Sequence, residues 1–184
     1  MNGAPVIRHH RKGDAESSAV YSACGRYRTE LTRIWDPALP RIAFVLLNPS
    51  TATEVQKDPT VERCERRARA LGHGGFRVCN IFALRSTDPR ALYHEADPVG
   101  PGNDAAIVAA ALWAHLTLCG WGTHGALRER GGAVALLLEA TGRPLWHLGR
   151  TKAGAPRHPL YIAYSQPPLP WRDGQAARSG STST

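Results

Sequence analysis

The chain has 184 residues, enough for one domain that buries roughly two-thirds of the surface of its unfolded chain. Its 23 Lys and Arg residues against 15 Asp and Glu residues give a formal charge of +8 and a pI of about 9.9. No apolar run is long enough to span a membrane, and the four cysteines form no C-x-x-C pair, so we expect neither an integral membrane protein nor a zinc or iron–sulfur module.

The two ends of the chain differ in composition from its middle. Residues 1–18 and 172–184 are polar and rich in small side chains that bury little surface, so we expect both segments to be disordered. We expect residues 19–171 to form a single cytoplasmic, monomeric domain without metal or cofactor, whose cysteines are mostly buried free thiols.

The first half of this domain is predicted to contain two strands, a helix and a third strand, in that order. Bulky and polar residues alternate over residues 27–36, which predicts a half-exposed strand near a sheet edge. The continuous apolar run at 42–47 predicts a strand buried on both faces, which is typical of a parallel sheet covered by helices. Residues 59–71 have helical periodicity with Asp58 placed as N-cap, and a second apolar strand follows at 76–84.

The second half continues the alternation. Asn103 and Asp104 are placed to cap an Ala-rich helix, and a third buried strand follows at 116–121. Residues 133–141 predict another helix, and 145–148 a short strand. Strands that alternate with helices predict an α/β fold, which we expect to be a three-layer α/β/α domain with a central, mostly parallel sheet.

The basic excess is almost entirely Arg. The guanidinium group binds phosphate through two parallel hydrogen bonds and stacks on bases, so the composition favours a polyanionic partner such as DNA, single- or double-stranded. A high Arg content is also typical of proteins from GC-rich genomes, and that explanation stays open.

Asn48 follows the first buried strand, in the segment LNPST at residues 47–51. Its carboxamide both donates and accepts hydrogen bonds, and Ser50, Thr51 and nearby N–H groups are suited to hold water or phosphate. Such a group can position a nucleophilic water. The alternative is an Asn-Pro turn that only ends a strand.

Two further polar residues stand in unusual places. Asn80 interrupts the apolar run at 76–84, and its donor–acceptor pair matches the edge of a pyrimidine, although it could equally pair with a backbone group across the sheet. His158 lies in RHPLY at 157–161, where an imidazole can stabilise the charge that builds on a departing base. A single His in a loop is also often structural.

Eight short motifs give the chain a strong resemblance to an uncharacterised bacterial family, a domain of unknown function. In chain order they read R-x-W-D, L-N-P-S-T-A, D-P-T, N-x-F-A-x-R, T-D-P, G-x-x-N-D, W-G and T-K-x-G-x-P-R-H-P-L-Y, and here they extend from residue 33 to residue 161. This resemblance alone implies no activity.

The chain also resembles the uracil-DNA glycosylase superfamily over about residues 43–161. Its segments LLNPS, CNIFALR, LCGWGTHGA and HPLY are similar to the superfamily's G-I-N-P-G, L-N-T-V-L-T, L-L-W-G-S-H-A and H-P-S-P-L. The resemblance implies Asn48 and His158 as catalytic residues, which position water and stabilise the leaving base. It implies Asn80, Leu47 and Pro49 as base-binding residues. The contacts to phosphate or to the gap in the base stack are then expected from Ser50, Thr51, Arg85, Lys152, Arg157, Leu160 and Tyr161.

Several positions depart from the superfamily pattern. Asn48 replaces the Asp of the uracil-specific branch, Leu160 replaces a phosphate-binding serine, and no Phe is obviously placed to stack on a flipped base. We therefore expect a metal-independent, monofunctional DNA glycosylase-like hydrolase that removes uracil or a related base. The alternatives are a nucleic-acid-binding module without catalysis and a hydrolase of free nucleotides or nucleosides.

Overall fold

One mixed sheet forms the centre of the protein in the computed structural model, which describes residues 3–172. Within that range the strands are β1 (Val6–Lys12), β2 (Ala15–Tyr21), β3 (Arg28–Ile34), β4 (Arg41–Leu46), β5 (Gly75–Asn80), β6 (Leu116–Gly120), β7 (Leu145–His147) and β8 (Leu169–Pro170). The helices are α1 (Pro59–Ala70), α2 (Ala91–His94), α3 (Asn103–Trp113) and α4 (Arg130–Ala140). Among the helices so described, none is both long and apolar enough to cross a membrane.

The sheet has a parallel centre between antiparallel flanks. Its order is β1-β2-β3-β5-β4-β6-β7-β8, and the neighbours β5-β4, β4-β6 and β6-β7 are parallel. The other four pairs, β1-β2, β2-β3, β3-β5 and β7-β8, are antiparallel. The α/β class is thus confirmed, but the prediction of a mostly parallel sheet is wrong, because only the central strands carry the apolar runs from which it was drawn.

The N-terminal segment is a β-hairpin, which corrects our expectation that residues 1–18 are disordered. Ala15, Ser17, Ala19 and Tyr21 of β2 are buried in alternation, whereas β1 is exposed on both faces at residues 6–11. Small and charged side chains conceal this pattern in the sequence. β3 consequently lies inside the sheet rather than near its edge. The predicted disorder of 172–184, apart from Arg172, falls outside the described residues.

The side chains of β4 alternate between two apolar clusters, one on each face of the sheet. Ile42, Phe44 and Leu46 belong to the cluster that contains α1, and Ala43 and Val45 to the cluster that contains α3 and α4. β4 is therefore covered by helices on both faces, which explains its uninterrupted apolar sequence.

The helix boundaries follow local hydrogen bonds. Asp58 Oδ1 accepts from the Val61 N–H at 2.8 Å, so the predicted N-cap of α1 is confirmed. The N-cap of α3 is Gly102 instead of Asn103 or Asp104. Asn103 Nδ2 donates to the carbonyls of Asn80 and Ile81, at 2.8 and 3.2 Å, and so ties the start of α3 to the end of β5.

The connections that leave β4 and β6 run in opposite directions. β4 leads through α1 to β5 on one side, and β6 leads through α4 to β7 on the other side and the opposite face. In such a sheet a crevice opens at the carboxyl ends of the two strands, which is where ligands bind in open α/β folds.

Gly120 allows the segment around residue 158 to approach the end of β6. A Cβ at this position would lie 2.9 Å from Pro159 Cδ and 3.1 Å from the Arg157 carbonyl oxygen. A side chain at residue 120 would therefore push that segment away from the sheet.

We expect Gly120→Ala to lower the free energy of unfolding by about 1–3 kcal/mol, because the added methyl overpacks a closed contact. Gly132→Ala is the matched control. Gly132 lies in α4, and a Cβ at this position would have no neighbour within 4 Å. That change should stabilise the protein by about 0.5–1 kcal/mol. Urea denaturation of both variants measures the difference, and equal effects would contradict the close approach.

Candidate functional site

A cavity of about 620 Å³ lies at the carboxyl ends of the parallel strands. Its wall is built from the segments that follow β4, β5, β6 and β7, together with the start of α1. Eight of the residues predicted from the sequence line it: Leu47, Asn48, Ser50, Thr51, Arg157, His158, Leu160 and Tyr161.

The other four predicted residues do not line the cavity. Pro49 is buried, and Arg85 donates to the Gly25 carbonyl at 3.1 Å and lies over the Tyr21 ring. Lys152 is exposed, next to the wall residue Thr151. Asn80 is buried at the end of β5, and its Oδ1 has no hydrogen-bond partner among the described residues.

Asn48 is oriented by two backbone carbonyls. Its Nδ2 donates to the Pro49 oxygen at 3.1 Å and to the Ser86 oxygen at 2.9 Å. Because both partners are acceptors, the amide orientation is fixed and Oδ1 faces away from them. Asn48 thus brings a fixed acceptor to the cavity wall, suited to a hydrogen bond from water or from a ligand N–H.

His158 is held as a neutral imidazole. Its Nδ1 accepts from the Leu160 N–H at 3.3 Å, so the single ring proton lies on Nε2. Burial lowers the His158 pKa from 6.5 to about 4, and the nearby Asp58 carboxylate acts in the opposite direction. At neutral pH the residue is therefore an uncharged hydrogen-bond donor in the cavity wall.

Asp58 is the N-cap of α1, as predicted, and it also lines the cavity. Its Oδ1 bonds the Val61 N–H, and Oδ2 accepts from the Ala52 N–H at 3.2 Å. Both oxygens thus hold backbone donors, so Asp58 fixes the helix start and the preceding loop beside His158.

Trp121 and His124 are wall residues to which the sequence analysis assigned no role. Trp121 is 4% exposed and fits against Gly125 and Gly131, where a Cβ would lie 2.2 and 2.6 Å from the indole. His124 Nδ1 lies 3.0 Å from the Tyr93 hydroxyl. The signal that marks them is the W-G-x-H spacing after a buried strand.

Two arginines of α1 hold the segment that carries His158 and Tyr161. Arg63 Nη1 donates to the Ile162 carbonyl at 3.0 Å, and Arg67 donates to the carbonyls of Gln166 and Ala163 at 2.8 and 2.9 Å. Both guanidinium groups lie over the Tyr164 ring. The helix whose N-terminus borders the cavity thus also anchors the opposite wall.

Strands β2 and β3 hold the loop between β4 and α1. Arg28 is buried and donates to the Ala52 carbonyl at 2.6 Å, and Arg33 donates to the Thr53 carbonyl at 3.0 Å. The Tyr21 hydroxyl donates to Glu54 at 2.7 Å. Charged hydrogen bonds from the sheet therefore fix the loop that contains Ser50 and Thr51.

The described residues contain no group of three or more His, Cys, Asp or Glu side chains placed to hold a metal ion. Among the cysteines, Cys64, Cys79 and Cys119 are buried and free, as expected, whereas Cys24 is exposed. None of the four is in the cavity wall.

Comparison with known proteins identifies a family. The model of a family described as a protein of unknown function, DUF1643, matches residues 26–160, which includes all of the cavity wall except Tyr161. No curated protein and no solved structure matches the chain.

The lowered pKa of His158 predicts a pH-dependent stability. Below about pH 6.5 the imidazole of the unfolded chain takes up a proton, whereas folded His158 stays neutral down to about pH 4. The His158 contribution to stability should therefore be complete above pH 6.5 and decrease between 6.5 and about 4. An NMR titration should give a midpoint near 4, and Asp58→Asn should lower it further. A midpoint near 6.5 would contradict the burial of the ring.

We expect Arg67→Met to loosen the segment at residues 160–166. Each hydrogen bond between the charged guanidinium group and a backbone carbonyl contributes about 1.5–3 kcal/mol of stability, and the substitution removes these bonds. Hydrogen exchange of the Ile162 and Gln166 amides should become roughly tenfold to a hundredfold faster. Arg66→Met is the control: Arg66 is exposed on the same helix and bonds only Glu62, a surface pair of small effect. Equal exchange in the two variants would show that the arginine contacts do not hold the segment.

Proposed function

We propose that this chain, which belongs to the DUF1643 family of unknown function, is a DNA glycosylase-like hydrolase that removes uracil or a related base. The observation that carries the proposal is the combination of a fixed acceptor on Asn48 with a neutral donor on His158 in one cavity wall. A volume of about 620 Å³ lies in the range of small-ligand sites and can hold a base with its sugar.

The proposed reaction breaks the bond between the sugar C1′ and the base nitrogen. The bonding electron pair leaves with the base, and a water oxygen forms the new bond to C1′. Asn48 Oδ1 accepts a hydrogen bond from this water and sets its direction. The water's proton passes through solvent to the base anion, so the products are the free base and an abasic sugar.

His158 is suited to stabilise the leaving base because it is neutral. Its Nε2–H can donate to a carbonyl oxygen on which negative charge develops, and a donor already held in place needs no reorganisation during the reaction. The burial that lowers its pKa also strengthens this hydrogen bond.

The rest of the wall supports binding of a nucleotide. Phosphate can bind to the hydroxyl groups of Ser50 and Thr51 and to the guanidinium group of Arg157. The space that the flipped base leaves can be filled by Leu160 or Tyr161. We take the parallel strands β5-β4-β6-β7 with helices on both faces as the counterpart of the superfamily's three-layer core. Asn80 has no direct base contact in this proposal, because it lies outside the cavity wall.

A second candidate is a nucleic-acid-binding module without catalysis. Asp58, the carboxylate in the wall, has each oxygen bonded to a backbone N–H group, so its position is set by the helix start and the preceding loop rather than by a bound water. This observation favours the module, whereas the fixed orientation of Asn48 favours the enzyme.

The direct test is alkali-dependent cleavage of labelled oligonucleotides that carry uracil, hypoxanthine, a thymine mismatch or a modified cytosine. We expect abasic product from the wild type, and a rate roughly a hundredfold to a thousandfold lower in Asn48→Ala and His158→Ala. His9→Ala, on the exposed strand β1, is the control and should keep the full rate.

Absence of abasic product on every substrate, with oligonucleotide binding retained, would favour the binding module. Product that persists unchanged in both variants would refute the roles of Asn48 and His158.

A further inference from the structure

The exposed aromatic side chains of this protein all lie beside the cavity. Of the five tyrosines, Tyr21 and Tyr27 are buried, whereas Tyr161, Tyr164 and Tyr93 are 79%, 44% and 48% exposed. No Trp or Phe of the described residues is among the large exposed side chains. An exposed aromatic ring is a surface on which a base can stack, and here such rings are confined to one place.

One of the three tyrosines lines the cavity, and the other two lie next to wall residues, in sequence or in space. Tyr161 itself lines the cavity, and Tyr164 follows it in the same anchored segment. Tyr93 contacts the wall residue His124, with ring centroids 5.8 Å apart. Tyr164 is held by Arg63 and Arg67, at 5.0 and 5.7 Å from its ring centre, so its position is fixed before any ligand arrives.

Few cations among the described side chains are free to bind phosphate, despite the charge of +8. In the part of the chain that the structure describes, every arginine except Arg8, Arg41 and Arg157 makes a hydrogen bond or an ion pair within the protein, and Arg8 and Arg41 lie over aromatic rings. Lys57 is paired with Glu62 and Glu65. The unpaired cations beside the cavity are therefore Arg157 and Lys152, both exposed.

We infer that the partner is a single-stranded nucleic acid, held mainly by base stacking on Tyr161 and its neighbours and by about two phosphate contacts. Duplex DNA keeps its bases stacked inside the helix and is bound largely through many phosphate contacts, which two free cations do not supply. A single strand offers open base faces to the rings instead. The inference rests on the proposed function in taking a polynucleotide as the partner.

Binding is measured on oligonucleotides without any target base, so that the result does not depend on catalysis. Fluorescence anisotropy compares a labelled single-stranded oligothymidylate, its duplex with oligoadenylate, and a single-stranded RNA of the same length. We expect the single strands to bind more tightly than the duplex. Tyr161→Ala should weaken single-strand binding roughly 5- to 150-fold, and Tyr161→Phe should retain it because the ring remains.

Leu136→Ala is the control for loss of an exposed apolar side chain. Leu136 is 68% exposed on α4 and lies outside the cavity wall, so its removal should leave binding unchanged. Both residues are exposed, so neither substitution should impair folding.

The salt dependence tests the second part of the inference. Two phosphate contacts to a single strand predict binding about sevenfold weaker at 200 mM than at 50 mM salt, and Arg157→Gln or Lys152→Gln should reduce that change to about threefold. Arg143→Gln, whose guanidinium already bonds the Leu112 carbonyl, should keep the wild-type dependence.

Each outcome separates the two proposals. Single-strand binding that Tyr161→Ala removes, without abasic product from any modified oligonucleotide, supports this inference and refutes the glycosylase. Equal or tighter binding of the duplex, or no effect of Tyr161→Ala, overturns the inference and leaves the glycosylase standing. A decrease of several hundredfold over the same salt range would also overturn it.

Discussion

The carboxylate of Asp58 is the group on which the geometry of the cavity depends. One oxygen starts helix α1 and the other holds the Ala52 N–H, so a single side chain fixes both the helix and the loop that precedes it. The same charge lies near His158 and opposes the effect of burial on that ring. α1 then reaches the far wall through Arg67. The helix thus connects two walls that are distant in sequence, which keeps Asn48 and His158 in one cavity.

This arrangement shows how a basic protein can have little free positive charge. Arg28, Arg33 and Arg67 are buried and donate to loop carbonyls. They supply the hydrogen bonds that these carbonyls would receive from the backbone in a helix or a strand. A guanidinium group suits this task because its several N–H donors have fixed directions. The net charge of a sequence is therefore a poor guide to its surface when arginine also satisfies buried backbone oxygens.

The sequence predicted the parts of the fold that carry strong periodic patterns. The apolar runs located β4, β5 and β6, and the Asp-Pro-Thr signal located the start of α1. β1 and β2 were missed because Ala15, Ser17 and Ala19 pack into the sheet without a large apolar side chain. Eight of the predicted residues line the cavity because they lie in segments that follow predicted strands. Asn80 lies outside the cavity wall, buried at the end of β5, where its carbonyl accepts from Asn103 Nδ2, a contact across 23 residues that no local pattern encodes.

The strands that flank the family match determine how the sheet ends. Residues 26–160 alone would leave β3 and β7 as open edges, and open edges invite pairing with other chains. β1 covers one side with charged side chains such as Arg8 and Arg11, and β8 ends the other side after two residues, at Pro170. Charge and proline both discourage further strand addition. The charge on β1 and the proline in β8 thus leave another chain little opportunity to pair with this sheet.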